Sequence, residues 1–139
     1  MTANPSVRNA HFELIDRLLS CLPTGYKESS VKLPNRPFPD KPKNDKWLRA
    51  TPIMQDTNNV QAGAGWERTD FLFVVDVFYP LGEDTLEQLD DAEKIASSFK
   101  NKRFNGINTH EALISTQPED GNYYHVQVEV DGYIEGIPI

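Results

Sequence analysis

The strongest apolar pattern in the chain is a run near its middle, RTDFLFVVDVFYP over residues 68–80. Side chains alternate between the two faces of a strand. One face of this run carries five large apolar or aromatic side chains: Phe71, Phe73, Val75, Val77 and Tyr79. From residue 71 onward the other face, with Leu72, Val74 and Phe78, is also apolar except at Asp76. Two apolar faces are typical of a central strand covered on both sides, so we expect a helix on one face and another helix or a neighbouring subunit on the other.

The first of two amphipathic helices is predicted to follow Ser6, a candidate N-cap, and to end at Pro23 and Gly25. Its apolar stripe has helical spacing and consists of Val7, Ala10, Leu14, Ile15, Leu18, Cys21 and Leu22. The lone cysteine in this stripe cannot form an intramolecular disulfide, and its position favours a small buried apolar role. We therefore expect this helix to pack on the sheet.

The second amphipathic helix is predicted to start at Asp84 or Thr85, after the turn at Pro80-Leu81-Gly82. Its apolar stripe consists of Leu86, Leu89, Ala92, Ile95, Ala96 and Phe99. Three acidic residues, Asp90, Asp91 and Glu93, lie close together between these positions. Without a histidine beside them, they are expected to form a solvated helix face.

Three further strands are predicted from residue type and alternation. Residues 46–55 form one, and Pro52 within it indicates an edge strand or a bulge. The Asn- and Gly-rich residues 56–67 are expected to be a long loop that joins this strand to the central one as an extended hairpin. Residues 109–117 and 123–130 are the other two strands, and the last nine residues are expected to be a short edge segment or a tail.

The order of these elements predicts an α+β fold: a mostly antiparallel four-stranded sheet with two helices packed on it. Two additions are a long hairpin and a Pro-rich arm at residues 25–45. The arm is expected to lie on a partner, to lie on its own subunit or to be mobile. Residues 1–139 are expected to form a single domain, because the chain has the length of one ordinary core.

Charge is unevenly distributed along the chain, whose net charge is −7. Residues 1–70 have ten Lys/Arg and eight Asp/Glu, a balance of +2, whereas residues 71–139 have four and thirteen, a balance of −9. The acidic total argues against a protein that grips DNA. It permits contact between the basic half of one copy and the acidic half of another, or it serves solubility alone. No apolar run is long enough for a membrane helix, and the polar N-terminus is not a signal peptide.

Candidate chemistry is sparse. His11, His110 and His125 lack metal-ligand spacing, and no nucleophile elbow or phosphate loop is present. Asp76, between two valines, is the one unusual carboxylate. It is either paired with an arginine or lysine near a strand end or a subunit contact, or it is a site residue with a raised pKa. The sequence therefore predicts no catalytic residue, no cofactor and no metal ligand.

The order of elements and several sequence runs resemble the tail-terminator-like proteins of tailed bacteriophages. These runs are NRPFPDKP, KWLRATPI, RTDFLFVVDVFYPLGED, ASSFKNKRF and YYHVQVEV, and the resemblance extends from about Pro34 to Val130. It implies a ring, typically of six subunits, that ends the tail tube, stops its polymerisation and provides the surface to which the head docks. The implied partners are copies of the chain itself, the tail tube protein and a head-completion or neck protein, while DNA passes through without specific binding.

The resemblance also implies a place in the virion tail, after assembly in the host cytoplasm, and no enzymatic activity. The residues expected to form interfaces lie in the arm, the hairpin and the central strand: Phe38, Arg49, Asn58, Asn59, Gln61, Trp66 and Asp76. Two alternatives remain open. One is another head–tail connector or neck component, and the other is a small α+β ligand-binding domain or enzyme that uses Asp76, His125 or a pocket near Trp47.

Overall fold

The fold is built on one curled, half-barrel sheet with two helices packed against it. A computed structural model describes residues 7–38, 45–61, 66–82 and 85–136, with the backbone alone at residues 56–61, 66, 67, 120 and 136. Its helices are α1 (Val7–Ser20) and α2 (Thr85–Phe99), and Glu28–Ser30 form a 3₁₀ turn. Its strands are β1 (Val31–Lys32), β2 (Trp47–Gln61), β3 (Trp66–Pro80), β4 (Arg103–Phe104), β5 (Ile107–Asp120) and β6 (Tyr123–Gly136).

The sheet has six strands in the order β1-β2-β3-β6-β5-β4, and it is mixed because β1 runs parallel to β2. The α+β class is as predicted, but the prediction of a mostly antiparallel four-stranded sheet is wrong. The two additional strands, β1 and β4, are two residues long and close the two ends of the sheet. Two residues are too few to show the alternation that identifies a strand in a sequence. Such a short segment becomes a strand because the neighbouring strand pairs with it.

Residues 56–67 are mostly strand, so the prediction of a long loop there is wrong. β2 and β3 remain paired as far as Asn59 opposite Glu67 and Gln61 opposite Trp66, with register shifts after Met54 and after Asn59. The extended hairpin itself is confirmed by this antiparallel ladder. Asn-rich composition lowers strand propensity, but pairing with an established neighbour overrides it. Residues 62–65, which include most of the Gly-rich stretch, lie outside the described part of the chain.

The C-terminal segment is also different from its prediction, because β6 continues through residues 131–136 at the centre of the sheet, between β3 and β5. Gly132 makes this possible, since it lies directly opposite Phe71. A Cβ atom at Gly132 would lie 2.2 Å from the Asn108 carbonyl oxygen and 2.6 Å from the Phe71 ring. The close approach of three strands at this point therefore requires glycine.

Both helices pack on the face of β3 that carries Phe73, which we call the helix-covered face. The Phe73 and Phe99 rings lie 5.2 Å apart, and Arg17 of α1 donates from Nε to the Ser98 carbonyl oxygen of α2 at 2.7 Å. The predicted stripes supply most of the buried helix residues: Ala10, Leu14, Leu18, Ala92, Ile95, Ala96 and Phe99. Full burial of each large side chain contributes about 1.5–3 kcal/mol, so this face forms the main core.

Three predictions for the helices need correction. Val7, assigned to the apolar stripe of α1, is 49 % exposed at the first turn. Leu86, assigned to the apolar stripe of α2, is 70 % exposed, whereas Asp91, assigned to a solvated face, is buried. The reason is that α2 contacts the sheet with a polar row next to its apolar stripe. In that row, Gln88 donates from Nε2 to the carbonyl oxygens of Val77 and Tyr124 at 3.2 and 3.1 Å. The predicted caps Ser6 and Asp84 lie outside the described residues.

Candidate interface

The other face of the sheet, which we call the helix-free face, is closed at one end by stacked rings. Trp47 of β2 stacks on Phe78 of β3 with their centroids 4.2 Å apart, and Phe78 stacks on His125 of β6 at 4.5 Å. Tyr123 meets Trp47 edge-on at 6.0 Å, and Phe38, at the end of the described part of the arm, lies 5.5 Å from Trp47. The arm therefore reaches this face of its own subunit and extends the ring stack across three strands.

Asp76 lies beside the ring stack and binds side chains from both neighbouring strands. Its Oδ2 accepts from Arg49 Nε at 3.0 Å, while its Oδ1 lies 2.5 Å from His125 Nε2 and accepts from Gln127 Nε2 at 3.1 Å. We call these four residues the Asp76 cluster. The sheet register explains the meeting, because Arg49 and Gln127 lie directly opposite Asp76 on β2 and β6.

The Asp76 cluster links β2, β3 and β6 through side chains, which indicates a role in stabilising the sheet. The Asp76 side chain is 4 % exposed, and a buried carboxylate is tolerated only with such partners. Both of its oxygens are occupied, as in the ion-pair alternative considered from the sequence. Arg49, in contrast, keeps 42 % of its side chain exposed, and its guanidinium carbon lies 5.2 Å from the centroid of the Phe78 ring. The cluster therefore presents a positioned guanidinium group to whatever contacts the helix-free face.

Beyond the ring stack, the helix-free face is only partly covered, and its apolar side chains lie among the polar Thr51, Glu129 and Asp131. Ile53 of β2 is 45 % exposed and Leu113 of β5 is 56 % exposed. Between these two strands lie Leu72, half-buried, and Val74, buried, on β3. Exposed apolar residues that share one sheet face are typical of a surface that binds another protein.

A second buried carboxylate lies on the helix-covered face. Asp91 of α2 accepts a hydrogen bond from the Tyr79 hydroxyl and lies 3.3 Å from Lys46 Nζ. Lys46 Nζ also donates to the Thr24 carbonyl oxygen at 3.0 Å and lies 4.5 Å from the centroid of the Tyr26 ring. Burial is the main cause that raises the pKa of both tyrosines above their ordinary value, and nearby Asp91 raises both further. These contacts fix the residue at which the arm enters β2.

The predicted interface residues fall into two groups at opposite ends of the hairpin. Phe38, Arg49 and Asp76 come together at the ring stack, whereas Asn58, Asn59, Gln61 and Trp66 lie at the distal end. Nine residues of β3 separate the level of Asp76 from that of Glu67, opposite Asn59, a distance of about 30 Å along the strand. The side chains of the distal group lie outside the described set.

Sequence reasoning missed Gln127 and Tyr123 as members of this site, and it considered His125 and Trp47 only as parts of an enzyme pocket. The alternation of YYHVQVEV places Tyr123, His125 and Gln127 on one face. What was lacking was the pairing of β6 with β3, which places that face beside Asp76. In the described ranges, no three acidic, histidine or cysteine side chains are grouped to hold a metal, and no helix is long and apolar enough to cross a membrane.

With the geometry established, the molecule can be classified as an α+β domain whose mixed sheet has two helices on one face and a partly exposed face opposite. The chain belongs to the phage tail terminator protein family, because the family model matches residues 7–131. It is therefore a structural protein of a phage tail and a component of the virion tail. The family resemblance identified in the sequence is confirmed.

One similar solved structure has a TM-score of 0.58 and 20 % sequence identity over 95 % of this chain and 94 % of that chain. At this identity the likeness concerns the fold alone. No curated protein matches the chain.

Proposed function

We propose that this chain forms a homo-oligomeric ring, with six subunits as the expected size, at the end of the tail tube. The ring stops tube polymerisation and provides the surface to which a head-completion or neck protein docks. The observation that carries the proposal is the family match over residues 7–131. In this role the whole chain acts as one non-enzymatic unit that is built in the host cytoplasm and then remains in the virion.

The helix-free face supports an assembling role. Its apolar residues Ile53 and Leu113 remain exposed in the isolated subunit, and Arg49 is held in position beside them. A closed ring is a common way to cover such a surface with identical copies. The buried Asp76 carboxylate has both oxygens occupied, so it is better suited to holding strands together than to accepting a proton from a substrate.

Net charge supports the passage of DNA. At −7, the subunit adds negative charge to any ring that it forms. A negative channel does not retain DNA phosphates, because retention depends on Lys and Arg side chains that neutralise them. We propose that the distal hairpin, with Asn58, Asn59, Gln61 and Trp66, contacts the tube or the neck protein, while Phe38, Arg49 and Asp76 belong to the ring body.

The test is light scattering of the purified protein, alone and with tail tubes of the same phage, followed by electron microscopy. We expect a ring in solution or at one end of the tube. A protein that stays monomeric and never binds the tube end contradicts the proposal. A ring located elsewhere in the neck would identify the protein as another connector.

The hairpin has its own test, deletion of residues 58–65. We expect the variant to fold and form rings but to give tails of uncontrolled length or without heads. A matched control replaces the same residues with a Gly/Ser linker of equal length, which separates loss of side chains from loss of length. Unchanged tail length and head joining in both variants would remove the hairpin from the proposed contacts.

A further inference from the structure

The two ends of the sheet carry opposite charge. We call residues 31–38 and 47–55, which contain β1 and the first part of β2, the basic edge. It has three Lys/Arg residues, Lys32, Arg36 and Arg49, and no acidic residue. β5, Ile107–Asp120, is the acidic edge, with Glu111, Glu119 and Asp120 and no Lys or Arg, while the two-residue β4 beside its first two residues adds Arg103. Because the sheet order places β1 and β2 at one end and β5 and β4 at the other, the two edges lie on opposite sides of the subunit.

Both edges are largely unpaired within the described part of the chain. β1 pairs only with Leu48 and Arg49 of β2, and β4 pairs only with Ile107 and Asn108 of β5. The rest of each outer strand has a neighbour on one side alone. An edge strand of this length is a ready site for contact with another chain.

Exposed apolar side chains lie on both edges and at matching levels. The pairing of the four long strands places Leu113 of the acidic edge in the same cross-strand row as Thr51. Ile53 of the basic edge is two residues from Thr51 and lies on the same face of the sheet. Ile114 is a second partly exposed apolar side chain of the acidic edge, on the helix-covered face of the sheet. Charge and apolar area therefore complement each other from one edge to the opposite one.

Strand direction is compatible with a ring. β2, β3, β6 and β5 alternate in direction, so β5 runs opposite to β2. Rotation about a ring axis roughly parallel to the strands keeps each strand's direction, and it brings the acidic edge of one copy antiparallel to the basic edge of the next. Pro52 has no N–H to donate at the basic edge, so backbone pairing is interrupted there and side chains must provide the contact at that position.

We propose that neighbouring copies join head-to-tail, with the acidic edge of one subunit against the basic edge of the next. The occupant of each edge is thus a second copy of this chain. This inference rests on the proposed ring, and it names the surface that builds it. Such a contact is heterologous and closes into a ring when the rotation per subunit divides a full turn.

Charge reversal tests the pairing. Lys32→Glu with Arg36→Glu, and separately Glu111→Lys with Glu119→Lys, are each expected to weaken self-association by at least about tenfold, because like charges then face each other. The quadruple variant, which carries both pairs of substitutions, is expected to recover assembly. The control is Asp90→Lys with Glu93→Lys, the same charge change on exposed residues of α2. Equal loss in the control, or no recovery in the combined variant, overturns the proposal.

Cross-linking tests the direction of the contact. In a Cys21→Ser background, Ile53→Cys and Leu113→Cys are treated separately and as a mixture with a short bismaleimide, under conditions where the unmodified chain assembles. We expect dimers only in the mixture and a ladder that ends at the ring size when both cysteines are in one chain. Dimers of Leu113→Cys alone would show an edge paired with itself and overturn the proposal.

The failures are distinguishable. If rings form at tube ends, but charge reversal does not weaken them and the mixture of cysteine variants gives no cross-linked dimers, the proposed edge contact is wrong. The proposed ring is then still supported. If the wild-type protein never self-associates, with or without tubes, both the ring and its edge contact are wrong.

Discussion

The two faces of β3 are both apolar, but they are buried in different ways. The helix-covered face is buried within the subunit itself, because α1 and α2 cover Phe73 and its neighbours. The helix-free face is closed only at the ring stack, and it leaves Ile53 and Leu113 exposed farther along. One face therefore stabilises the fold, whereas the other keeps exposed apolar side chains, which is the surface that we propose for assembly.

Among the described side chains, each face also holds one buried carboxylate, and the two have different partners. Asp91 is paired with Lys46, whose side chain is only 11 % exposed, under the arm. Asp76 is paired with Arg49, which reaches the surface, and with His125 and Gln127. The first pair locks the subunit internally, and the second links the core to an exposed guanidinium group.

The largest expected effect is on the free energy of unfolding when the same Leu→Asp substitution is made on each of the two faces. Leu18→Asp places a carboxylate in the core and is expected to lower the free energy of unfolding by at least about 3 kcal/mol, with loss of folding. Leu113→Asp, on the exposed part of the helix-free face, is expected to change it by about 0.5 kcal/mol or less. Urea denaturation followed by fluorescence measures both. Equal losses would mean that the two faces are not distinct.

The next effect compares the two ion pairs. Lys46→Met leaves Asp91 buried without its cation, and we expect a loss of about 3 kcal/mol. Arg49→Met is expected to cost about 1 kcal/mol, because Arg49 is partly solvated and Asp76 keeps His125 and Gln127. Equilibrium unfolding in urea ranks the two variants. The reverse order would place the structural lock on the helix-free face.

The smallest effect is the response to alkaline pH. Burial raises the native-state pKa of the Tyr26 and Tyr79 hydroxyls, so the folded chain holds these protons more tightly than the unfolded chain. Their stabilisation is therefore complete below about pH 10, the ordinary tyrosine pKa, and declines above it by up to about 1.4 kcal/mol per pH unit for each tyrosine.

Tyr26→Phe isolates one of these groups. We expect a shallower loss of stability between about pH 10 and 11 than in the wild type, because one buried hydroxyl no longer titrates. Tyr124→Phe, at a partly exposed tyrosine, is the matched control. Chemical denaturation across this pH range is the measurement, and an unchanged slope for Tyr26→Phe would show that its hydroxyl does not contribute.

The sequence was informative where the pattern is local. Amphipathic spacing identified both helices, and alternation identified β3 and the first eight residues of β6. It failed for β1 and β4, whose two residues are strands only because of their neighbours, and for residues 56–61, where pairing with β3 overrides composition. The sequence pattern assigned Asp91 to solvent, because it does not show that Lys46, which directly follows the arm, reaches that carboxylate.

The candidate site shows the same limit. Phe38, Arg49 and Asp76 were selected one by one, but their meeting depends on the register of β2 against β3. The further contacts of Asp76 with His125 and Gln127 depend on the position of β6 beside β3, which no local pattern specifies.

The central claim is that this chain ends the growing tail tube, and tail length tests it most directly. A stop codon early in its coding sequence, complemented or not by the wild-type chain, is introduced into the phage, and tails are measured by negative-stain electron microscopy. We predict tails of variable excess length without heads in the absence of the chain, and uniform tails joined to heads on complementation. Uniform tails that join heads normally without the chain would contradict the account.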